Sequence, residues 1–419
     1  MPNAPKLDAD VLIAGAGMAG ATLALALAQG GLKVILVDPL PFDDQLAPTF
    51  DGRASAIAYA SFRQWRTLGL AAELEPHAQR IEQILVTDGR TPGASGPPAL
   101  PAYLRFESAE IADRSDGEPL GYMLENRRIR AGLAVGVGRS NIEVLAPARL
   151  TGLEVSPSHA TVTLDDGRTL TCALVVGAEG RGSTVRRAAG IGDIGWRYGQ
   201  SGVVATVRME RPHGGVAHEY FLPGGPFAIL PLTDNRASLV WTEATARGEA
   251  LREAGPEAFQ AHLTRRFGEF LGGVEKLGPT FVYPLSLAMA ERLVAPRVAL
   301  LGDAAQGIHP IAGQGLNLGL KGAAALAEVA VEARRIGEDI GAEATLERYA
   351  RWRRFDNVAI AASSDLFVRL FSNDNPVLRL ARGVGMAAVN HIAPARKFFM
   401  QEAGGAVGDL PRLLRGERL

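Results

Sequence analysis

Several residue types are scarce in this chain of 419 residues, and each scarcity excludes a class of protein. A single cysteine, Cys172, rules out an internal disulfide and suits a reducing compartment. The seven histidines are scattered, with no pair at metal-ligand spacing, so we predict no metal site. Lysine and arginine (44) nearly balance aspartate and glutamate (45), which leaves no global basic field for nucleic acid.

Long apolar segments are missing as well. No apolar run approaches the roughly 20 residues of a membrane-spanning helix, and the N-terminus lacks the basic and apolar regions of a signal peptide. We therefore expect a cytoplasmic protein. The chain is long enough for two or more domains with their own cores.

The first pattern with chemical content lies near the N-terminus, where residues 9–38 read as a strand, a glycine turn, a helix and a second strand. Gly15, Gly17 and Gly20 form a G-x-G-x-x-G fingerprint, which brings a pyrophosphate onto the backbone N–H groups of a helix N-terminus. Asp38 ends the second strand, where a carboxylate accepts hydrogen bonds from ribose hydroxyls. This unit predicts NAD or FAD and disfavours a 2′-phosphate.

A second glycine-rich stretch, residues 302–322, favours FAD over NAD. It follows an apolar run and opens into an alanine-rich helix. Asp303 would accept hydrogen bonds from ribityl hydroxyls, and Gly315, Leu316 and Asn317 would present backbone N–H groups to the flavin pyrimidine as it gains negative charge. NAD alone would leave this stretch without a role.

Further motifs run from end to end of the chain: DGRASAIAYAS (51–61), LGYMLENRRIRAGL (120–133), GAEGRGSTVRR (177–187), GPFAILPL (225–232) and LLGDAAQGIHPIAGQGLNLGLKG (300–322). With them, nearly the whole chain resembles the group A flavoprotein aromatic hydroxylases. Within that group it is most similar to the ubiquinone-biosynthesis hydroxylases, the 2-polyprenyl-phenol monooxygenases.

The resemblance implies an α/β fold with a Rossmann-like FAD-binding domain of the p-hydroxybenzoate hydroxylase type. We expect this domain to be discontinuous, over 1–195 and 291–340. An inserted antiparallel-sheet substrate domain would occupy 196–290, joined by part of 70–120, and a C-terminal helical region would follow over 341–419.

Individual roles follow from the resemblance. Arg53 would lie near the FAD pyrophosphate, Asn126 beside the ribityl chain, and Pro310 near the ring where oxygen reacts. His309 would either hydrogen-bond the loop backbone or take part in proton traffic near the flavin. The family usually has Gly-Ala-Asp-Gly where this chain has Glu179 in place of the aspartate, so no role is carried over to that residue.

The predicted substrate sheet is rich in short apolar runs broken by glycine and proline, and PGGP (223–226) predicts a hairpin turn. Tyr220, Phe227 and Leu230 would line the space between the sheet and the flavin. Ordinary core packing is the competing interpretation for each of them.

The resemblance implies a monooxygenase that hydroxylates the ring of a polyprenylated phenol in ubiquinone biosynthesis, through a flavin C4a-hydroperoxide. It would use O₂ and NADH or NADPH, or another electron donor. Two alternatives stay open: a different flavin oxidoreductase, such as a halogenase or a prenyl-chain reductase, or a flavin-binding accessory subunit of a biosynthetic complex. The four tryptophans form no Trp-x-Trp motif, which argues against a halogenase.

The C-terminal region combines basic and apolar residues. A helix is predicted to begin at Asn375-Pro376, and Phe398 and Phe399 follow Lys397, as suits a lipid interface on the inner membrane or a partner protein. The same stripe could instead pack on the FAD-binding domain.

Overall fold

The computed structural model describes residues 7–47, 51–88, 103–110, 117–222, 224–268, 270–308, 313–371, 400, 404–405 and 408–419. The helices are α1 (Met18–Gln29), α2 (Phe42–Gln45), α3 (Tyr59–Thr67), α4 (Ala71–Leu74), α5 (Asn126–Gly138), α6 (Thr184–Ala188), α7 (Thr245–Glu253), α8 (Pro256–Phe267), α9 (Gln314–Arg335), α10 (Glu343–Phe371) and α11 (Arg412–Arg415). The strands are β1 (Ala9–Ala14), β2 (Val34–Val37), β3 (Ala54–Ala58), β4 (Gln79–Ile81), β5 (Gln83–Asp88), β6 (Tyr103–Glu107), β7 (Gly121–Glu125), β8 (Glu143–Leu145), β9 (Leu150–Val155), β10 (Ala160–Leu164), β11 (Thr169–Gly177), β12 (Asp193–Met209), β13 (Val216–Leu222), β14 (Gly225–Leu232), β15 (Arg236–Ala244), β16 (Val274–Ala290), β17 (Val294–Ala295), β18 (Val298–Leu300) and β19 (Gln306–Gly307).

The first sheet has a parallel centre. Its strands lie in the order β17-β18-β11-β1-β2-β8, with β10 and β9 continuing beside β11. β1 pairs in parallel with both β2 and β11, and α1 makes the crossover from β1 to β2. The central strands are apolar and buried because both faces of the sheet are covered, one mainly by α1 and α9 and the other by β9, β10 and α6.

The glycines at the start of α1 permit its close approach to β1. Gly15 has φ +106°, a conformation that L side chains rarely adopt. A Cβ on Gly20 would lie 1.9 Å from the carbonyl oxygen of Gly15, so only glycine can occupy that position. The strand–turn–helix arrangement predicted from the fingerprint is the one observed.

The second sheet is mainly antiparallel, in the order β19-β16-β12-β15-β14-β13-β5-β6. Most of it comes from the segment between β12 and β16, and β13 and β14 form the predicted hairpin. Two strands from earlier in the chain extend it, since β5 pairs in parallel with β13 and β6 pairs with β5. Part of 70–120 therefore lies in the second sheet.

A third sheet has the strand order β3-β7-β4, and helices α9 and α10 lead from the last strand, β19, to the C-terminal part of the chain. α9 packs against α1, and α10 packs against α9. The helix predicted from Asn375, together with Phe398 and Phe399, lies outside the described residues. Within the part of the chain that is described, no helix is both long and apolar enough to cross a membrane.

Candidate active site

A cavity of about 1700 Å³ extends from the carboxyl ends of the first-sheet strands to one face of the second sheet. It is lined by most of the predicted site residues, namely Gly15, Gly17, Asp38, Arg53, Asn126, Leu230, Asp303, Gly315, Leu316 and Asn317. Gly20, Tyr220 and Phe227 do not line it. His309 and Pro310 lie outside the described residues, so their predicted roles stay predictions.

The N-terminus of α1 opens onto this cavity. Gly17 occupies the N-cap position without any side-chain cap, and the first turn contains no acidic residue. A Cβ on Gly17 would meet no atom within 4 Å, so space remains directly in front of the helix. Uncapped N–H groups at the positive end of a helix dipole suit a phosphate group.

Asp38 stands at the tip of β2, beside the same opening. Its carboxylate accepts hydrogen bonds from the backbone N–H groups of Ala16 (2.6 Å) and Leu40 (2.8 Å). Burial raises the pKa of Asp38, and the two N–H donors oppose that shift. Since a carboxylate offers about four acceptor positions, Asp38 can also accept hydrogen bonds from ribose hydroxyls.

Asp51 is a buried carboxylate that sequence reasoning missed, although it begins the quoted DGR motif. Arg53 donates to both of its oxygens (2.8 and 2.9 Å), and Asn126 (2.9 Å) and Arg130 (3.0 Å) donate to Oδ2. Burial alone would raise the pKa of Asp51, but the hydrogen bonds and charge of Arg53, with help from Asn126, hold it far below its usual range. Asp51 therefore orients two of the predicted site residues.

The N-terminus of α9 faces the cavity from the opposite side. Gly313 precedes it with φ +63°, and Gly315 and the residues around it line the cavity. The side chain of Asn317 is used structurally, because its Oδ1 accepts from the N–H of Ala58 (2.9 Å) and its Nδ2 donates to the carbonyl of Ala56 (2.8 Å). These bonds tie α9 to β3 and leave the backbone of its first turn to face a ligand.

Asp303 lies on a short 3₁₀ turn after β18 and is half exposed toward the cavity. Arg181 approaches it at 3.4 Å, from Nε to Oδ2. Arg181 also donates to the hydroxyl of Ser286 and contacts the carbonyl of Ile308 at 3.5 Å. The single long ion pair leaves acceptor capacity on Asp303 for ligand hydroxyls.

Glu179 holds the start of α6. Its carboxylate accepts hydrogen bonds from the hydroxyl of Ser183 and from the N–H groups of Thr184 (3.1 Å) and Val185 (3.3 Å). These are backbone N–H groups of the helix N-terminus, which otherwise lack partners. The glutamate that stands here in place of aspartate thus caps the N-terminus of α6.

The second sheet contributes the apolar wall of the cavity. The alternation of side chains along its strands keeps two of the three predicted substrate residues out of that wall. Leu230 lines the cavity. Phe227 faces the other side of β14, where it packs with Trp241 and α8, and Tyr220 joins that cluster. Successive side chains of a strand point to opposite faces, so residues 227 and 230 cannot line the same space.

Among the described residues, no group of three histidine, cysteine, aspartate or glutamate side chains is placed to hold a metal ion. Cys172 is a buried free thiol on β11, and burial raises its pKa to about 12, so it is inert as a nucleophile.

Residues 8–355 match the family described as FAD binding domain. Over 412 residues the chain is 46% identical to the Ubiquinone hydroxylase UbiL of Rhodospirillum rubrum, covering 97% of this chain and 93% of that protein. The chain belongs to the FAD-dependent ubiquinone-biosynthesis hydroxylases. It is also 34% identical over 414 residues to the 3-demethoxyubiquinol 3-hydroxylase of Escherichia coli, which covers 97% of this chain and all (100%) of that protein.

The fold is shared with solved aromatic monooxygenases. The p-nitrophenol 4-monooxygenase PnpA of Pseudomonas putida superimposes with a TM-score of 0.75 at 18% identity, over 94% of this chain and 96% of that one. The protein is thus an FAD-dependent aromatic hydroxylase with the p-hydroxybenzoate hydroxylase type of fold, and the predicted family, cofactor and enzyme class are confirmed.

The residues present are compatible with FAD. Open space in front of Gly17 leaves room for a pyrophosphate, and Asp38 stands where an adenosine ribose would reach. At the other side the uncapped start of α9 offers backbone N–H groups, with Asp303 beside it. An extended dinucleotide with hydroxyls at both ends and negative charge in the middle suits this arrangement.

Proposed function

We propose that this hydroxylase acts on the aromatic ring of a phenol that carries a polyprenyl chain, using O₂ and electrons from NADH or NADPH. The main support for the proposal is that one cavity has a polar part and an apolar part. Its polar part lies between α1 and α9, and its apolar part lies along the second sheet. The relatives named for ubiquinone hydroxylation support the same substrate class.

We propose the following division of labour for the cofactor. The start of α1 and Asp38 hold the adenosine half, Arg53 lies near the pyrophosphate, and Asn126 and Asp303 meet the ribityl chain. The first turn of α9 presents N–H groups to the pyrimidine edge of the flavin. When bound, FAD supplies the redox chemistry by which electrons and O₂ are used to hydroxylate a ring.

The chain's own residues bind the substrate and exclude water. The apolar wall comes from several strands of the second sheet and includes Ile84, Val86, Leu104, Phe106, Val204 and Leu230. Burial of a prenyl chain there is favourable at roughly 25 cal/mol per Å² of apolar surface. A dry, shaped space of this kind also protects reactive oxygen chemistry from solvent.

The test is oxygen incorporation. Holoenzyme supplied with NADH or NADPH, labelled O₂ and a prenylated phenol should consume the nicotinamide faster than without the phenol, and mass spectrometry should find label in the ring. The same phenol without its prenyl chain serves as the control and should react with a higher KM. A ring that never acquires label contradicts the proposal, whatever the flavin content.

We also propose that the protein meets its substrate at a membrane surface. Along one exposed face of α10, Arg351 and Arg354 stand beside Phe355, Val358 and Leu366. Phe355 also lines the cavity, so this face adjoins an opening through which a lipid-soluble substrate could enter. Aromatic and aliphatic side chains next to basic ones suit an anionic lipid surface.

A further inference from the structure

Glu219 is a carboxylic acid in the apolar wall of the cavity. It lies on β13 between Ala217 and Phe221, which face the cavity with it. Its cross-strand neighbours are Ala228 on β14 and Val86 on β5, and both of these also line the cavity. On this face of the sheet, the four nearest neighbours of Glu219 are therefore all apolar.

Within the described part of the chain, the Glu219 carboxyl has no hydrogen-bond or ion-pair partner. The other carboxylates that line the cavity each have one, such as the Arg181 guanidinium beside Asp303 and the Lys321 ammonium beside Asp356. A carboxyl group without a hydrogen-bond partner in apolar surroundings destabilises the folded protein. Its presence in the cavity wall points to a ligand group that supplies the missing hydrogen bond.

We propose that Glu219 is a catalytic residue that accepts a hydrogen bond from the phenol hydroxyl of the substrate and takes its proton during hydroxylation. This inference rests on the proposed function. The phenol O–H bond breaks as the carboxyl O–H bond forms, and the phenolate directs electron density to the ring positions beside and opposite its oxygen. One atom of O₂ enters the ring as a hydroxyl and the other leaves as water, with two electrons and one hydrogen from the nicotinamide and one proton from solvent. The ring carbon releases its hydrogen as a proton, and Glu219 returns its own proton to the phenolate oxygen.

The acidity of Glu219 suits that task. Burial raises the pKa of its carboxyl to about 7, so near neutral pH it can both take and return a proton. The neighbours on β5 and β14, Val86 and Ala228, do not titrate. His218 is adjacent on the same strand, but its ring stacks on Tyr220 with centroids 6.1 Å apart, and burial lowers its pKa to about 4, so it stays neutral.

The experiment compares holoenzyme with the variants Glu219→Gln and Glu275→Gln. Glu275 is an exposed carboxylate on β16 of the same sheet and serves as the matched control. Glu219→Gln keeps the shape and a hydrogen-bonding oxygen but cannot accept the proton. We expect it to bind a prenylated phenol within about tenfold of wild type and to lower kcat by about 10²-fold, the usual range for loss of a general base. We also expect the rise of kcat around pH 7 to disappear, while Glu275→Gln keeps the wild-type profile.

A second measurement needs no variant. Equilibrium binding of the phenol to wild type should change with pH around 7, whereas binding of its methyl ether, which has no proton to give, should not follow the same curve. Identical pH dependence for the two ligands overturns the inference. So does a Glu219→Gln variant that hydroxylates with wild-type kcat and pH profile. Wild type that puts no labelled oxygen into the ring overturns the proposed function itself.

Discussion

At the scale of single residues, the carboxylates of Asp51 and Glu219 have opposite surroundings. Asp51 is held by Arg53, Asn126 and Arg130, and its pKa lies far below the usual range. Glu219 has apolar neighbours, and burial raises its pKa to about 7. The contrast follows from one rule: burial disfavours the charged form unless opposite charges and donors compensate for the lost water.

Asp51→Ala should destabilise the protein, because it removes the carboxylate that pairs with the buried Arg130 guanidinium. Removal of one member of a buried ion pair costs about 3–5 kcal/mol in the free energy of unfolding. The folded pKa is depressed, so this contribution is fully present above the unfolded value near 4 and is lost as the pH falls below it. Urea unfolding at pH 7 and pH 3 measures the difference, which should shrink at pH 3.

The control for that experiment is Asp166→Asn, which removes a carboxylate from the exposed Asp166–Arg168 pair. We expect no measurable change in stability at either pH. An Asp51→Ala protein as stable as wild type at pH 7 would show that the hydrogen bonds and ion pairs of Asp51 do not stabilise the fold.

Glu219→Gln should stabilise the protein at alkaline pH. The folded pKa of about 7 lies above the unfolded value, so the contribution of Glu219 to stability is greatest below about pH 4 and is lost as the pH rises through the folded pKa. At 1.36 kcal/mol per pKa unit, the variant should gain about 3 kcal/mol over wild type between pH 4 and pH 8. Thermal or urea unfolding at the two pH values measures this gain, and an equal difference at both would contradict it.

At the scale of elements, two helix N-termini converge on the polar part of the cavity. α1 and α9 pack together, and a Cβ on Gly319 of α9 would lie 3.4 Å from the Cβ of Ala19 on α1. Neither helix start carries a side-chain cap. Two uncapped N-termini that face the same cavity provide a positive region for an anionic ligand.

Gly17→Ala should leave the fold intact and weaken FAD binding, because its Cβ meets no protein atom and enters the space in front of α1. We expect at least a tenfold rise in the FAD dissociation constant, about 1.4 kcal/mol. Gly138→Ala, whose Cβ also meets no atom but which does not line the cavity, is the matched control. Fluorescence titration of apoprotein with FAD measures both; unchanged FAD affinity in Gly17→Ala would contradict the placement of the pyrophosphate.

Asp303→Ala should lower FAD affinity for a different reason, since the ribityl hydroxyls lose a charged acceptor. Hydrogen bonds to charged groups contribute about 1.5–3 kcal/mol, which corresponds to roughly a 10- to 150-fold rise in the dissociation constant. The same titration measures it, and Asp303→Asn, which keeps a neutral acceptor, should fall between the alanine variant and wild type. Full flavin occupancy of the alanine variant at low FAD concentration would exclude this role.

At the scale of the whole molecule, one cavity joins elements that are far apart in the chain. The turn after β1, the start of α9 and strands β5, β12, β13, β14 and β15 all line it. α10 borders the same cavity and turns an apolar and basic face to solvent. The proposed cofactor site, the apolar wall and the proposed lipid-facing surface therefore adjoin one another around a single cavity.

Flotation with anionic liposomes tests the lipid-facing surface. Wild type should float at low salt, and a variant with Phe355, Val358 and Leu366 changed to serine should remain in the dense fraction. Val155→Ser with Ile336→Ser removes exposed apolar side chains elsewhere and should float like wild type. If all three proteins float equally, or if none of them floats, the exposed face of α10 does not bind lipid.

The sequence by itself determined the cofactor and the family. Gly15 is required by its positive φ and Gly20 by a close contact with the Gly15 carbonyl, whereas Gly17 keeps space open in front of α1; such local constraints are visible in a sequence. The apolar strand runs likewise predicted a parallel Rossmann-like unit and a second sheet, because periodicity reports which face is buried.

Only the tertiary structure decided which side chains share the cavity. The aromatic character of Tyr220 and Phe227 predicts a place in the cavity wall, but strand register turns them to the outer face of the sheet. The sequence does not single out Asp51 and Glu219, because a carboxylate's role depends on what surrounds it after folding: four donor side chains in one case and four apolar neighbours in the other. Burial and partnership are properties of contacts between distant segments, and the order of residues along the chain does not contain them.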